Sequence, residues 1–150
     1  MLKICFICLG NICRSPMAEL ILRQKLRDNN IKNVLVESRG TSYEEQGNPI
    51  YPKAQDTLAN HNIELSPHRA TCLEKKDLRK FDYFICMEDY HVEVSRRILG
   101  PKANIIKLLD YDIEDPWYTN NFEKVYQEID EGCNIIIKKI KERKIKFLSF

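Results

Sequence analysis

With 150 residues, 43% of them hydrophobic and 31% charged, the chain is too apolar for a disordered segment, and residues 1–150 are long enough to bury a core as one domain without staples. Twenty-four Lys and Arg against 22 Asp and Glu leave a formal charge of +2, which gives no reason to invoke nucleic acid as a partner. No apolar run approaches the length of a membrane span, and the six cysteines lie largely within apolar patterns with no secretory leader ahead of them, so the expectation is a reduced, cytoplasmic protein with no membrane partner.

In chain order, LKICFIC (residues 2–8) is a continuous apolar run ended by Gly10, the pattern of a strand buried on both faces in a parallel sheet. A helix follows over MAELILRQKLRD, with Ser15 expected as N-cap, Pro16 as its first residue, Met17, Leu20 and Ile21 on its apolar face, and a stop near Asn29 and Asn30. NVLVES (33–38) reads as a second strand, RGTSYEEQGNPIYP (39–52) as a loop, KAQDTLANHN (53–62) as a helix and FDYFICM (81–87) as a third buried strand. DYHVEVSRRIL (89–99) is a helix opening on an Asp, and NIIKLL (104–109) a fourth strand. A loop then leads to one long amphipathic helix over residues 121–144, whose basic end KKIKERKIK (138–146) is expected to be a solvated face. This alternation predicts an α/β fold in three layers: a doubly wound, four-stranded parallel sheet with helices on both faces. Ligands bind such sheets beyond the carboxyl ends of the strands, where the strand order reverses. CLGNICRSP (8–16) lies there.

The chemistry of that stretch follows from its residue types. A tight turn from Cys8 through Leu9, Gly10, Asn11, Ile12 and Cys13 to Arg14 converges backbone N–H groups on one point, and the next helix aims its N-terminus at the same place. Gly10 is expected to supply unusual backbone angles, and Asn11 tolerates a left-handed conformation. Arg14 adds a planar fork for two phosphate oxygens. The same field favours the thiolate of Cys8, and Ser15 can donate a hydrogen bond to that sulfur. Cys8 is thus a candidate nucleophile toward a phosphate monoester, in a reaction that calls on no metal or other cofactor. CFIC (5–8) has the spacing of half a zinc site, but no second pair or His cluster follows it. A leaving group still needs a proton. Asp115, held before Pro116 and flanked by Trp117 and Tyr118, is the candidate acid, with Asp110, Asp112 and Glu114 as rivals; the two aromatics would wall the cleft for a flat phenolic substrate.

These residues carry a resemblance: the chain is similar to the low-molecular-weight protein tyrosine phosphatases. CLGNICRSP matches the family's phosphate loop throughout and DPWY (115–118) its acid loop, while SRGTS (38–42), HRA (68–70) and FDYFICM fall where the family places similar segments. The resemblance implies the flavodoxin-like strand order 2-1-3-4, with Cys8 as nucleophile, Arg14 as phosphate clamp, Asp115 as general acid, and Ser15 as partner of the thiolate. It also implies Asn11, Ser38 and His68 as the polar network that holds the loop, and Cys13 as a redox partner able to pair reversibly with Cys8. Tyr43 is read as a rim aromatic, with an exposed loop tyrosine as the alternative. The implied partners are tyrosine-phosphorylated proteins or peptides, acted on by a monomer or weak dimer. Departures from the family's pattern are Arg39 in SRGT, YPK at Tyr51–Lys53 in place of an acidic DPR, and the lack of a basic residue in ATCL (70–73). Two enzyme alternatives share the fold: phosphoarginine hydrolysis, which relatives with threonine at the Ile12 position favour, and arsenate reduction, whose relay needs a further cysteine that MEDYHVE (87–93) lacks.

Overall fold

A computed structural model of the chain describes residues 1–142. In chain order the elements are β1 (Leu2–Cys8), α1 (Arg14–Asp28), β2 (Val34–Gly40), α2 (Pro52–Asn60), β3 (Tyr83–Cys86), α3 (Asp89–Leu99), β4 (Ile105–Lys107), α4 (Pro116–Thr119) and α5 (Phe122–Lys141), with a 3-10 turn at Lys75–Arg79. All strand pairs are parallel and the order is β2-β1-β3-β4, as expected.

The apolar run of β1 is continuous because both faces of the strand are covered. Ile4, Phe6 and Cys8 point into one cluster with Met17 and Ile21 of α1 and Val125, Ile129 and Cys133 of α5. Cys5 and Ile7 point into the other, with Phe84, Cys86, Leu99 and Phe81 on the side of α3. Each of these fully buried large side chains contributes about 1.5–3 kcal/mol by leaving water. In α5 the apolar spacing of Phe122, Val125, Tyr126, Ile129, Cys133, Ile136 and Ile137 faces the core as expected. None of the described helices is long and apolar enough to cross a membrane.

Several boundaries differ from expectation: β3 and β4 are shorter than the apolar runs 81–87 and 104–109 that contain them, and α2 spans Pro52–Asn60 rather than 53–62. Helix α1 opens at Arg14 with Cys13 in the N-cap position, so Ser15 does not cap it; the serine hydroxyl is engaged by the loop instead. Strand β2 runs on through Arg39 and Gly40, because its ladder with β1 extends to the pair Cys8–Gly40. The acid segment, read as loop, contains the helical turn α4, for which Pro116 is pre-set in its first position. Helix α5 ends at Lys141, and the tail beyond Glu142 lies outside the described residues.

The sheet places the site. β1 is flanked by β2 and β3, so the chain leaves it in opposite directions and the order reverses there. Cys8 ends β1, Glu88 follows β3, and the segment after β4 returns to the same rim.

Candidate active site

The loop after β1 is held from outside by its carbonyls. The Cys8 carbonyl accepts from Thr41 N (2.9 Å), Leu9 from Ser42 N (3.0 Å), Ile12 from Tyr51 N (2.9 Å) and Cys13 from Met17 N (3.0 Å). The Asn11 carbonyl accepts from His68 Nε2 (2.7 Å), which puts the imidazole proton on that nitrogen. A planar trans peptide sets each N–H opposite the preceding carbonyl. The amides of Leu9, Gly10, Ile12, Cys13 and Arg14 therefore turn the other way, into the cup above Cys8. Helix α1 adds its open end, with neither a side-chain cap nor an acidic residue in the first turn.

The left-handed residue of the loop is Asn11, at φ 59°. Gly10, expected to supply unusual angles, does not: its φ lies outside the left-handed range, and what its lack of a side chain provides is room, since a Cβ there would stand 3.3 Å from Glu45 Cγ. The glycine that sequence reading missed is Gly40. A Cβ at that position would lie 2.8 Å from the Leu9 carbonyl oxygen and 3.1 Å from Asn11 N, backbone that cannot yield without opening the cup. Gly40→Ala is expected to lower kcat/KM by roughly tenfold or more by displacing the loop, measured with p-nitrophenyl phosphate.

A directed chain of hydrogen bonds ends on the sulfur. Asn11 Oδ1 accepts from Thr71 N (2.9 Å), which fixes the amide so that Nδ2 donates to Ser15 Oγ (2.8 Å) and to Ser38 Oγ (2.9 Å). Ser38 in turn donates to Glu19 Oε1 (2.6 Å), and Arg23 holds that carboxylate at 2.7 Å. Ser15 Oγ also stands 2.9 Å from Cys8 Sγ and 3.4 Å from the Arg39 carbonyl, and toward a Cys8 thiolate its hydroxyl is the donor. Ser15, Asn11, Ser38 and His68 are thus brought together around the loop. Glu19 was missed, although its place four residues after Ser15 on one helix face was a usable signal.

Arg14 is 2% exposed. Its Nη1 donates to Glu88 and to the Ile113 carbonyl (2.7 Å), and its Nη2 stands 3.4 Å from Asp115 Oδ2. Both hydrogens of Nη1 are spent, which leaves Nε and Nη2 as the nitrogens available to an anion. Glu88 was also missed. Behind it lies His91, 1% exposed, whose Nδ1 accepts from Glu88 N (3.2 Å). Burial, then the neighbouring Arg14, lowers the His91 pKa to about 3, so the ring is neutral and its 3.7 Å approach to the Glu88 carboxylate is no ion pair. The unfolded chain takes up this proton near pH 6.5 and the folded one only near 3. Stability is therefore lost as pH falls through that window, and His91→Asn is expected to show a flatter acid-side stability curve in urea titrations.

Among the carboxylates after β4, Asp115 is the one that reaches the cup; it caps α4 by accepting from Trp117 N at 3.0 Å. The rivals are held elsewhere. Bonds from Lys124 first, then Thr119 and Asn121, bring Glu114 down to about 2. Asp112 is lowered by its bond to Lys107, and Asp110 lies on the β4 side of the sheet. Trp117 and Tyr118, 51% and 77% exposed, line the cleft with Ile12. Tyr43 does not line it. It is 64% exposed with its hydroxyl on Cys72, and Glu44 and Glu45 stand at the mouth instead. Cys13 lies in the cleft wall, its thiol pushed well up by burial, then by Cys8 and Asp115. No group of His, Cys, Asp and Glu among the described residues is arranged to hold a metal ion.

A family model for low molecular weight phosphotyrosine protein phosphatases matches residues 3–146. The chain belongs to that family. A curated relative, the low molecular weight protein-tyrosine-phosphatase PtpA of Staphylococcus saprophyticus, is 41% identical over 145 residues, covering 91% of this chain and 92% of its own. Of solved structures, YfkJ from Bacillus subtilis superposes with a TM-score of 0.91 at 35% identity, over 96% of this chain and 97% of that one. The low molecular weight protein tyrosine phosphatase SP-PTP from Streptococcus pyogenes superposes at 0.86 and 34% identity, over 93% of each chain. In this low-molecular-weight phosphatase the departures at Arg39 and at Tyr51–Lys53 are built into contacts. Arg39 reaches Glu37 (3.1 Å) and Asp77 (3.5 Å) and lies over the Phe81 ring (5.2 Å), bracing β2 away from the cleft.

Proposed function

We propose that this phosphatase hydrolyses phosphotyrosine monoesters through a cysteinyl-phosphate intermediate. The observation that carries the reading is Cys8 Sγ, hydrogen-bonded by Ser15 at the floor of an amide-lined cup that Arg14 and Asp115 also border. The phosphate dianion seats on the inward amides and on Nε and Nη2 of Arg14. The Cys8 thiolate attacks phosphorus, the S–P bond forms as the ester P–O bond breaks, and Asp115 gives its proton to the departing phenolic oxygen. Charge spread over the equatorial oxygens is met by the amides, the end of α1 and the guanidinium. In the second half Asp115, now a carboxylate, takes a proton from water as that water attacks phosphorus. The P–S bond breaks, and the Ser15 hydrogen bond stabilises the sulfur as it leaves.

Ile12, Trp117 and Tyr118 in the cleft wall favour a flat aromatic ester over phosphoarginine. Oxidation of Cys8 to the sulfenic acid would let Cys13 displace water and close a disulfide. Its raised thiol argues against Cys13 as the first target of oxidant. Six free, buried cysteines support a reducing, cytoplasmic setting, and a single sheet with a core cluster on each face supports one phosphatase domain over 1–150.

The acid role sets the test. Asp115→Ala is expected to lower kcat/KM, which reports formation of the cysteinyl-phosphate, by about 10²–10³ on phenyl phosphate, whose leaving group needs the proton, and by far less on p-nitrophenyl phosphate. An equal loss on both esters would remove Asp115 from the role.

A further inference from the structure

The segment Tyr51–Lys53 departs from the family's pattern, and its contacts show where the replaced side chains go. Tyr51 occupies the N-cap position of α2 but makes no side-chain cap, leaving the helix end without the acceptor that Asp, Asn, Ser or Thr would supply. A local rule broken in this way points to work done elsewhere. The half-buried Tyr51 ring packs against Trp117, centroids 4.8 Å apart and tilted by 60°, and stacks on Phe122 at 5.9 Å. Trp117 is the residue whose backbone N–H donates to Asp115 Oδ1 at 3.0 Å, so the placement of this turn and the carboxylate's orientation are linked. On its other side, the backbone N–H of Tyr51 donates to the Ile12 carbonyl at 2.9 Å. One residue therefore touches both the phosphate loop and the acid turn.

Lys53 completes the grip. Its Nζ donates at 2.8 Å to Oδ1 of Asn120, the left-handed residue (φ 63°) that ends α4. A helical turn of four residues has no stability of its own. It holds Asp115 over the cup only if something outside it fixes its two ends, and these are the ends that Tyr51 and Lys53 contact.

We infer that Tyr51, assisted by Lys53, is a positioning residue that sets Asp115 against Cys8 and so governs protonation of the leaving group. This rests on the reading of Asp115 as general acid. Tyr51→Asp separates positioning from stability, because it restores a helix cap while removing the ring. Its kcat/KM, which reports formation of the cysteinyl-phosphate, is expected to fall roughly tenfold on phenyl phosphate and by less than about twofold on p-nitrophenyl phosphate. Tyr51→Phe keeps the ring and is expected to retain the parent rates. Lys53→Met, on an exposed side chain, is expected to show a smaller loss of the same leaving-group dependence and serves if Tyr51→Asp folds poorly. Added to Asp115→Ala, Tyr51→Asp is expected to have no further effect. A loss equal on both esters, or no loss in either single variant, overturns the inference while a leaving-group-dependent Asp115→Ala leaves the acid reading intact. An Asp115→Ala loss equal on both esters overturns both.

Discussion

Cys8→Ser is expected to abolish turnover, by about 10⁴-fold or more, while leaving the binding of inorganic phosphate close to that of the parent. The reason is that the two properties belong to different atoms. Binding belongs to the inward amides, the open end of α1 and Arg14, none of which the substitution touches. Turnover belongs to sulfur, which ionises far more readily than an alcohol and leaves phosphorus readily in the second step. Cys8 is 2% exposed and stands within hydrogen-bond reach of Ser15, so a serine hydroxyl fits the same space with a partner already in place, and the fold is retained. Calorimetric titration with phosphate beside a p-nitrophenol release assay checks both halves. Parent-like turnover in Cys8→Ser would sink the covalent mechanism, and loss of phosphate binding would show that the sulfur, not the loop, holds the anion.

Arg14→Lys is expected to lower kcat/KM by roughly 10³-fold, although the charge is kept. In the resting enzyme Nη1 is committed to Glu88 and the Ile113 carbonyl, and Nη2 stands 3.4 Å from Asp115 at the cleft. An ammonium cannot divide itself in this way. It either stays with the Glu88 carboxylate and abandons the phosphoryl oxygens, or reaches the phosphate and leaves a largely buried carboxylate without a cation. Steady-state kinetics on p-nitrophenyl phosphate distinguish the cases. A loss within tenfold would mean that charge alone suffices and that the planar fork is unnecessary.

Much of this was legible in the primary structure because it is encoded over a few neighbouring residues. The two-sided burial of β1 follows from an unbroken apolar run, the face of α5 from spacings of three and four, and the phosphate loop from a cysteine and an arginine six positions apart between a strand and a helix. The assignments that moved were decided by competing tertiary demands. Ser15 is a good cap by type, but Asn11 and Cys8 claim its hydroxyl. Tyr43 is by sequence either a rim aromatic or an exposed loop tyrosine, and the path of the loop turns it to solvent and puts Glu44 and Glu45 at the cleft. Tyr51 registered only as an unusual residue until its ring was seen against Trp117.

By itself, then, the sequence determined the parallel sheet and the turn that carries the candidate nucleophile, since these depend on periodicity and on short-range backbone chemistry. Only the tertiary structure decided which groups support them. Glu88 meets Arg14 across 74 positions of chain because β3 is the parallel neighbour of β1. Gly40 meets Leu9 because the β1–β2 register runs to its last pair. Asp115 is distinguished from Asp110, Asp112 and Glu114 by which of them a turn of helix aims at the cup and which are held by lysines or turned to the other side. Contacts of that range carry no local signature, because the energy that fixes them comes from packing the whole sheet rather than from the residues beside them in the chain.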